Sequence, residues 1–409
     1  MTMCRLKPRS PISLVVRKNF VPSGAYMRRM PPSLKPKTEI PLDMRNARYE
    51  LRRPVAGNTE VFSRRQFLSG VASVAAVTLM AADRSIAQRA VTGNNLRLID
   101  VHHHFLPPHY MAEARERVIA QGQGYLPAPV LAWTPENALA ELDQNGVAAA
   151  IVSISTPGVS FGNVQAARTL ARQCNEYAAR LVADHRGRFG FFAVVPLPDT
   201  DGALREISHA LDVLRADGVG LMTSYGDSWL GDSAFRPVFE ELDRRKAVVY
   251  VHPTGPNCCR ALIPQVPYVM TELPHDTTRT ITSLLFSGSF SRFRGIRFIF
   301  SHAGGTLPMV AGRIARQGAA VKELADKVPD GIDFELKRLH YEIAGSTNPP
   351  AMSALMKLVP TSQILFGSDY PWGRVGATLA GLQNLGLSAA EARAIERENA
   401  LRLFPRLNI

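Results

Sequence analysis

From Leu96 to the end of the chain, short segments of strand length alternate with segments of helical pattern. Eight strand-like segments follow one another in this way, at residues 96–104, 147–155, 189–195, 219–223, 247–251, 296–300, 339–343 and 364–366. Such alternation is typical of a parallel sheet built from βα units. Eight units predict an α/β fold of the (β/α)8 type, a TIM barrel, over residues 96–405. A doubly wound open sheet is the alternative, but no G-x-G-x-x-G sequence follows the first strand.

The helical segments have recognisable boundaries. Thr134 is a predicted N-cap, Pro135 occupies the first helical position, and Gly146 ends that helix. The other predicted helices span residues 163–184, 202–216, 235–245, 278–285, 307–317, 350–359, 377–385 and 389–404. Between the first strand and Thr134 we expect a loop, because Pro107-Pro108 and a glycine-rich segment near Gly122 interrupt the pattern.

Polar side chains occur where several of the predicted strands end. The first strand ends in three histidines, and alternation places His102 and His104 on one face, about 7 Å apart along the strand, with His103 on the other. In (β/α)8 barrels the catalytic groups lie at the C-terminal ends of the strands. Three further residues occupy such ends: His252 on strand five, His302 on strand six and Asp369 on strand eight.

These residue types predict a metal site. Three imidazoles and one carboxylate suit a borderline cation such as Zn²⁺, with one position open for water or substrate. His302 is either a fourth imidazole ligand or an acid/base group beside the metal, and we favour the second role. Strand four ends in Gly220-Leu221-Met222-Thr223, without a lysine that could be carbamylated to bridge two metals. We therefore expect one divalent ion per chain, with zinc as the first choice.

Three residues near the strand ends are candidates for substrate contacts. Trp372 directly follows the polar segment after strand eight, and Tyr341 lies on strand seven. Arg260, beyond the end of strand five, is a candidate partner for a substrate carboxylate.

The net charge of +13 is concentrated near the N-terminus. Residues 1–90 contain 17 Lys and Arg but only 5 Asp and Glu, whereas the remaining residues contain 31 and 30. The predicted barrel is therefore almost neutral, and the composition gives no support to nucleic-acid binding.

The basic N-terminal part ends in an apparent export signal. Ser63-Arg64-Arg65-Gln66-Phe67-Leu68 precedes a short apolar segment, and Ser85-Ile86-Ala87 offers a small-x-small cleavage site. This order resembles a twin-arginine signal over residues 63–90. Residues 1–62 are predicted to be a disordered basic extension, or an artefact of a start codon assigned upstream of Met44. We expect export to the periplasm through the twin-arginine machinery, and a cytoplasmic protein if the signal is not used.

Four motifs in order resemble the amidohydrolase superfamily. They are Asp100-Val101-His102-His103-His104, His252-Pro253, His302-Ala303-Gly304-Gly305 and Gly367-Ser368-Asp369-Tyr370-Pro371. Within that superfamily the chain is similar to the aminocarboxymuconate-semialdehyde decarboxylase branch, which includes 6-methylsalicylate and γ-resorcylate decarboxylases. The similarity extends over about residues 96–404.

The resemblance implies a role for each matching residue. It makes His102, His104, His252 and Asp369 metal ligands and His302 the histidine that transfers protons. Arg313 matches an arginine that in family members reaches the substrate of a neighbouring subunit, which implies a homodimer. One departure is Tyr341-Glu342, since relatives often have aspartate after the aromatic residue of strand seven.

The expected activity is metal-dependent, non-oxidative decarboxylation of a small aromatic or enol carboxylic acid. A proton added to carbon by His302 or Asp369 would precede the departure of CO₂. A metal-dependent hydrolase of a lactone or amide would use the same residues and is the alternative. A catalytically inactive, exported binding protein is a third possibility, which the intact ligand set disfavours.

Overall fold

The computed structural model describes residues 97–122, 126–260 and 262–408. The predicted basic extension (residues 1–62) and export signal (residues 63–90) lie outside these residues and stay predictions. Within the described part of the chain, no helix is both long and apolar enough to cross a membrane.

Eight parallel strands form one sheet, and their spatial order follows the sequence. They are β1 (Leu98–His104), β2 (Val147–Ser153), β3 (Phe189–Val194), β4 (Gly218–Met222), β5 (Val248–His252), β6 (Arg297–Phe300), β7 (His340–Glu342) and β8 (Ile364–Leu365). All eight predicted strands are confirmed, and most observed strands end one or two residues earlier than predicted. A separate two-stranded hairpin joins Ser224–Tyr225 to Ser228–Trp229.

The residues after β8 close the sheet against β1. The Val101 amide donates to the Phe366 carbonyl at 3.0 Å, and the His104 amide donates to the Tyr370 carbonyl at 2.7 Å. The Asp369 amide donates in the other direction, to the His102 carbonyl at 2.8 Å. The first and last strands are thereby joined, which confirms the (β/α)8 barrel.

Two apolar layers explain why these strands are buried on both faces. A small cluster joins residues from opposite strands, among them Ile99 of β1, Phe192 of β3 and Tyr250 of β5, and so fills the barrel interior. Phe404 near the C-terminus joins the same cluster, with its ring 5.8 Å from that of Phe192. A larger cluster packs the outer strand faces against the helices.

Helices follow most of the strands, as expected for βα units. They are α1 (Pro108–Gln121), α2 (Ala128–Leu131), α3 (Pro135–Gln144), α4 (Val164–Asp184), α5 (Thr200–Ser208), α6 (Arg236–Arg244), α7 (Glu272–Phe286), α8 (Ser289–Arg292), α9 (Leu307–Ala320), α10 (Lys322–Ala325), α11 (Ile332–Lys337), α12 (Pro349–Leu358), α13 (Val375–Gln383), α14 (Ala389–Arg393) and α15 (Asn399–Leu403). Thr134 caps α3 as predicted, accepting a hydrogen bond from the Asn137 amide at 3.1 Å.

The structure corrects several helix predictions. The expected loop after β1 is mostly helix α1, since Pro108 occupies its first turn, where a proline lacks no needed donor. Helix α7 likewise begins six residues before the predicted start, with Pro274 in its first turn. The predicted helices 202–216 and 389–404 are each interrupted by a π-helical turn, at His209–Val213 and Ala394–Glu398.

Two glycines allow the same substitution, glycine to alanine, to be compared in a closely packed strand and on an open helix face. A methyl group at Gly218 in β4 would overlap the Val248 carbonyl of β5, whereas one at Gly312 in α9 would meet no heavy atom within 4 Å. Gly218→Ala is expected to lower the free energy of unfolding by about 1–3 kcal/mol through overpacking. Gly312→Ala should raise it by about 0.5–1 kcal/mol because alanine favours the helix. Urea unfolding of both variants measures the two changes in the free energy of unfolding. Equal changes would contradict the close contact between Gly218 and the Val248 carbonyl.

Candidate metal centre

The strand ends bring four predicted ligand side chains into one cluster. One ligand atom from each of His102, His104, His252 and Asp369 lies within 4.8 Å of all the others. The Nε2 atoms of His102 and His104 are 2.9 Å apart. Asp369 Oδ1 lies 3.2 Å from the first and 3.1 Å from the second. Electron-rich atoms this close together need a cation or a shared proton between them.

The second ring nitrogen, Nδ1, of each clustered histidine lies close to a hydrogen-bond acceptor. The Nδ1 atoms of His102, His104 and His252 lie 2.8, 3.0 and 2.9 Å from Glu342 Oε1, the Ser153 carbonyl and the Pro253 carbonyl, respectively. An Nδ1–H that donates to such an acceptor leaves the Nε2 lone pair directed into the cluster. Three neutral imidazoles and one carboxylate are a donor set that fits a single divalent metal ion.

A break in the alternation of β1 sets which histidines face the cluster. Ile99 and Val101 lie in the interior apolar cluster, so strict alternation from them would also turn His103 inward. Instead, the pairing of β1 with β2 shifts between Asp100 and His103, and such irregularities re-aim side chains. His103 faces away, with Nδ1 3.0 Å from Asp100 Oδ2 and its ring stacked on Tyr370.

Burial and neighbouring charges shift the pKa values of the cluster residues in different directions. Burial lowers the pKa of His102, but the Glu342 and Asp369 carboxylates outweigh burial and raise it to about 10. Burial lowers the pKa of His104 and, with the charges of the neighbouring imidazoles, that of His252. Burial opposes ionisation of Asp369, yet His102 and the other imidazoles hold its pKa well below the usual range. The raised pKa of His102 favours its protonated form, and a divalent cation bound at Nε2 would replace that proton.

His302 lies beside this cluster. It begins a 3-10 turn, His302–Gly304, directly after β6, and its Nδ1 lies 2.9 Å from the Ala344 carbonyl. Its Nε2 is 4.0 Å from Asp369 Oδ2, and its side chain is 20% exposed. His302 thus sits further from Asp369 than His102 and His104 do, and it faces the cavity above the cluster.

That cavity has a volume of about 360 Å³. His252, His302 and Asp369 lie on its floor, and Trp372 forms part of its wall, with its ring 5.2 Å from that of His104. The remaining described residues that line it are Val118, Gln121, Gly122, Ser155, Thr156, Val269, Leu273, Pro274, Gly305, Gly345 and Ser346. Within this described lining there is no lysine or arginine, and most of the lining surface is apolar.

The other predicted substrate and subunit contacts lie elsewhere. Tyr341 is fully buried, its hydroxyl donates to the Leu336 carbonyl, and it does not line this cavity. Arg260 is exposed and lines a separate cavity with Thr254 and Gly255, so its predicted contact with a substrate stays a prediction. Arg313 is exposed on α9 and does not line the cavity of its own chain.

Glu342 is a site residue for which the sequence predicted no function. It ends β7, is fully buried, and contacts both His102 and His302. Two features of the sequence could have indicated it: Glu342 stands at the end of a predicted strand, and relatives often have aspartate at this place.

The fold and the donor set define a (β/α)8 barrel with a metal site at the C-terminal ends of its strands. Residues 99–406 match the Amidohydrolase family model, and the chain belongs to that family. It is 39% identical over 326 residues to the 6-methylsalicylic acid decarboxylase acuB of Aspergillus aculeatus, covering 76% of this chain and 96% of that protein. It is 37% identical over 316 residues to the 6-methylsalicylic acid decarboxylase of Penicillium expansum, again covering 76% and 96%.

Solved structures support the fold. A crystal structure described as amidohydrolase II is 27% identical, with a TM-score of 0.68 over 75% of this chain and 99% of that one. The 5-carboxyvanillate decarboxylase of Novosphingobium aromaticivorans, solved with manganese, has a TM-score of 0.68 at 20% identity, over 78% of this chain and 99% of that one. At that identity the second likeness bears on the fold alone.

Proposed function

We propose that this protein is a metal-dependent decarboxylase that removes the carboxyl group of a small aromatic carboxylic acid without oxidation. The observation that carries the proposal is that the four-residue donor cluster and His302 meet at one largely apolar cavity. The cavity volume of about 360 Å³ suits a single substituted ring. The two fungal relatives named above, which align over nearly their whole length, are decarboxylases of such an acid.

The proposed reaction exchanges a carboxylate for a proton. An acid donates a proton to the ring carbon that bears the carboxylate, the bond from that carbon to the carboxylate breaks, and its electron pair restores the ring as CO₂ leaves. His302 suits the role of acid in its doubly protonated form, because Nδ1–H then donates to the Ala344 carbonyl while Nε2–H faces the cavity and can be transferred. The acid then regains a proton from solvent.

The four clustered residues would hold the metal ion. Its chemistry would be to neutralise negative charge on the substrate oxygens and to fix their orientation. A site with three nitrogen donors and one oxygen donor favours zinc in our proposal, whereas the structural neighbour described above contains manganese.

A substrate assay tests the proposal. The purified, metal-loaded protein is incubated with 6-methylsalicylate and hydroxybenzoates, and CO₂ and the decarboxylated ring are measured together. We expect equal amounts of both products and none after removal of the metal. Hydrolysis of lactones or amides without CO₂ release from any acid would favour the hydrolase alternative. Metal binding without turnover of either class would favour a binding protein.

We also propose that the protein is a homodimer in which Arg313 approaches the partner. Arg313 is exposed on α9, and Met309, one turn earlier on the same helix, has 77% of its surface exposed. Methionine and arginine are both enriched at protein interfaces relative to the rest of the surface. Light scattering that gives a monomeric mass for the full chain would rule the dimer out.

The export proposal has its own test. Replacing the arginine pair, Arg64→Lys with Arg65→Lys, should leave the enzyme in the cytoplasm, because the pair is the element that the twin-arginine machinery recognises. Cell fractionation followed by a metal-dependent activity assay measures the distribution. Unchanged periplasmic activity would show that another signal directs export.

A further inference from the structure

Glu342 places one buried carboxylate between two functional histidines. Its side chain has no exposed surface. Oε1 lies 2.8 Å from His102 Nδ1 and accepts the backbone N–H of His302 at 2.6 Å. Oε2 accepts the Ala344 amide at 2.8 Å. A carboxylate hydrogen-bonded on both oxygens in this way has a fixed orientation.

The contact between Glu342 and His102 orients one of the metal-binding imidazoles. A carboxylate that accepts from Nδ1–H fixes the tautomer of His102 and makes its Nε2 a stronger donor. His104 and His252 instead face carbonyl oxygens of Ser153 and Pro253. Of the three imidazoles in the cluster, His102 is thus the one oriented by a charged group.

The second contact holds the turn that carries His302. His302 and Ala303 have φ values of 53° and 57°, a left-handed conformation that non-glycine residues rarely adopt. Gly304 and Gly305 continue the turn at 75° and 68°. Such a backbone persists only where surrounding contacts hold it. The hydrogen bond from the His302 amide to Glu342 is one of these contacts, and it links the turn directly to the metal donors.

Gly367 makes room for this carboxylate. A methyl group at Gly367 would overlap Glu342 Oε2 and would lie 2.8 Å from His102 Cβ. Glu342 on β7 and Gly367 after β8 are therefore complementary: the larger acidic side chain requires the smallest residue beside it.

We propose that Glu342 is a positioning residue that aligns His102 for metal binding and His302 for proton transfer, with Gly367 providing the space for its carboxylate. Only the second part of this role rests on the proposed decarboxylation. The first part concerns metal affinity and is independent of the reaction.

The test measures Zn²⁺ affinity of the full chain by competition with a chelator, without substrate. Glu342→Gln, which keeps the shape but removes the charge, is expected to weaken Zn²⁺ binding about 10- to 100-fold. Gly367→Ala should weaken it similarly by displacing the carboxylate. Co²⁺-substituted protein should show an altered visible spectrum in both variants, because the ligand geometry changes. At saturating metal, kcat of Glu342→Gln should fall at least about tenfold with little change in KM.

Glu335→Gln is the matched control, because Glu335 is equally buried but pairs with Arg294 and Arg338 away from the cluster. It should lower stability without changing Zn²⁺ affinity or the Co²⁺ spectrum. If Glu342→Gln does not fold, Glu342→Asp, one methylene shorter, should show the same loss of affinity. Affinity within twofold of the wild type in a folded Glu342 variant would overturn the proposal. If the wild-type protein decarboxylates no acid, the proposed function is wrong. The Zn²⁺ affinity measurement still decides whether Glu342 aligns His102 for metal binding.

Discussion

His302→Ala is expected to keep a nearly normal metal content while kcat falls by about 10²- to 10⁴-fold, the usual contribution of a general acid or base. His302 Nε2 lies 4.0 Å from Asp369 Oδ2, outside the four-residue cluster but on the floor of the same cavity. Removing it should therefore leave the four donors in place. Metal analysis and steady-state kinetics on one preparation measure both quantities.

His275→Ala is a suitable control for this variant. His275 is exposed on α7, where its Nδ1 contacts the Thr271 carbonyl, so its loss should change neither metal content nor kcat. If His302→Ala loses as much metal as a cluster variant does, His302 is a direct ligand and its proposed role is wrong.

His252→Ala should lose metal and activity together. His252 supplies one of only three imidazoles in the cluster, and a site of four protein donors that loses one binds its metal far more weakly. After dialysis, elemental analysis should give about one metal ion per wild-type chain and a small fraction of that for the variant. Activity should fall in the same proportion and should return in part when excess metal is added.

His103→Gln provides the control, because His103 belongs to the same three-histidine run but faces Asp100 and Tyr370. It should keep its metal. Two metal ions per wild-type chain would contradict the single site, and equal metal loss in the His103 and His252 variants would point to a general loss of structure.

The sequence predicted the parts of this site that depend on local pattern. Apolar segments that end in His252, His302 and Asp369 marked their strands correctly, because a barrel strand is buried along its length and polar only at its rim. The pairing of His102 with His104 followed from their spacing. The shift in β1 pairing that actually turns them inward could not be predicted, because it is a property of two strands.

The placements that the sequence did not predict are those that long-range contacts decide. Tyr341 was expected to contact substrate, but its ring lies in the core, and the next residue, Glu342, lies beside His102, 240 residues away in sequence. Arg260 lies on an irregular segment whose course no periodicity encodes. Glu342 and Gly367 belong to different strand ends, and their complementary sizes matter only once the strands are side by side. Neither residue therefore indicates this packing in the sequence.

The closure of the barrel bears on when the metal can be captured. The hydrogen bonds that join the two ends of the sheet belong to residues 101–104 and 366–370, the same short segments that carry His102, His104 and Asp369. Ser368 strengthens this seam, because its amide donates to Asp100 Oδ1 at 3.0 Å. During synthesis, a growing chain has the histidine pair long before it has the aspartate. The complete donor set therefore forms only when the segment after β8 has docked on β1, so we expect tight metal binding to coincide with closure of the barrel.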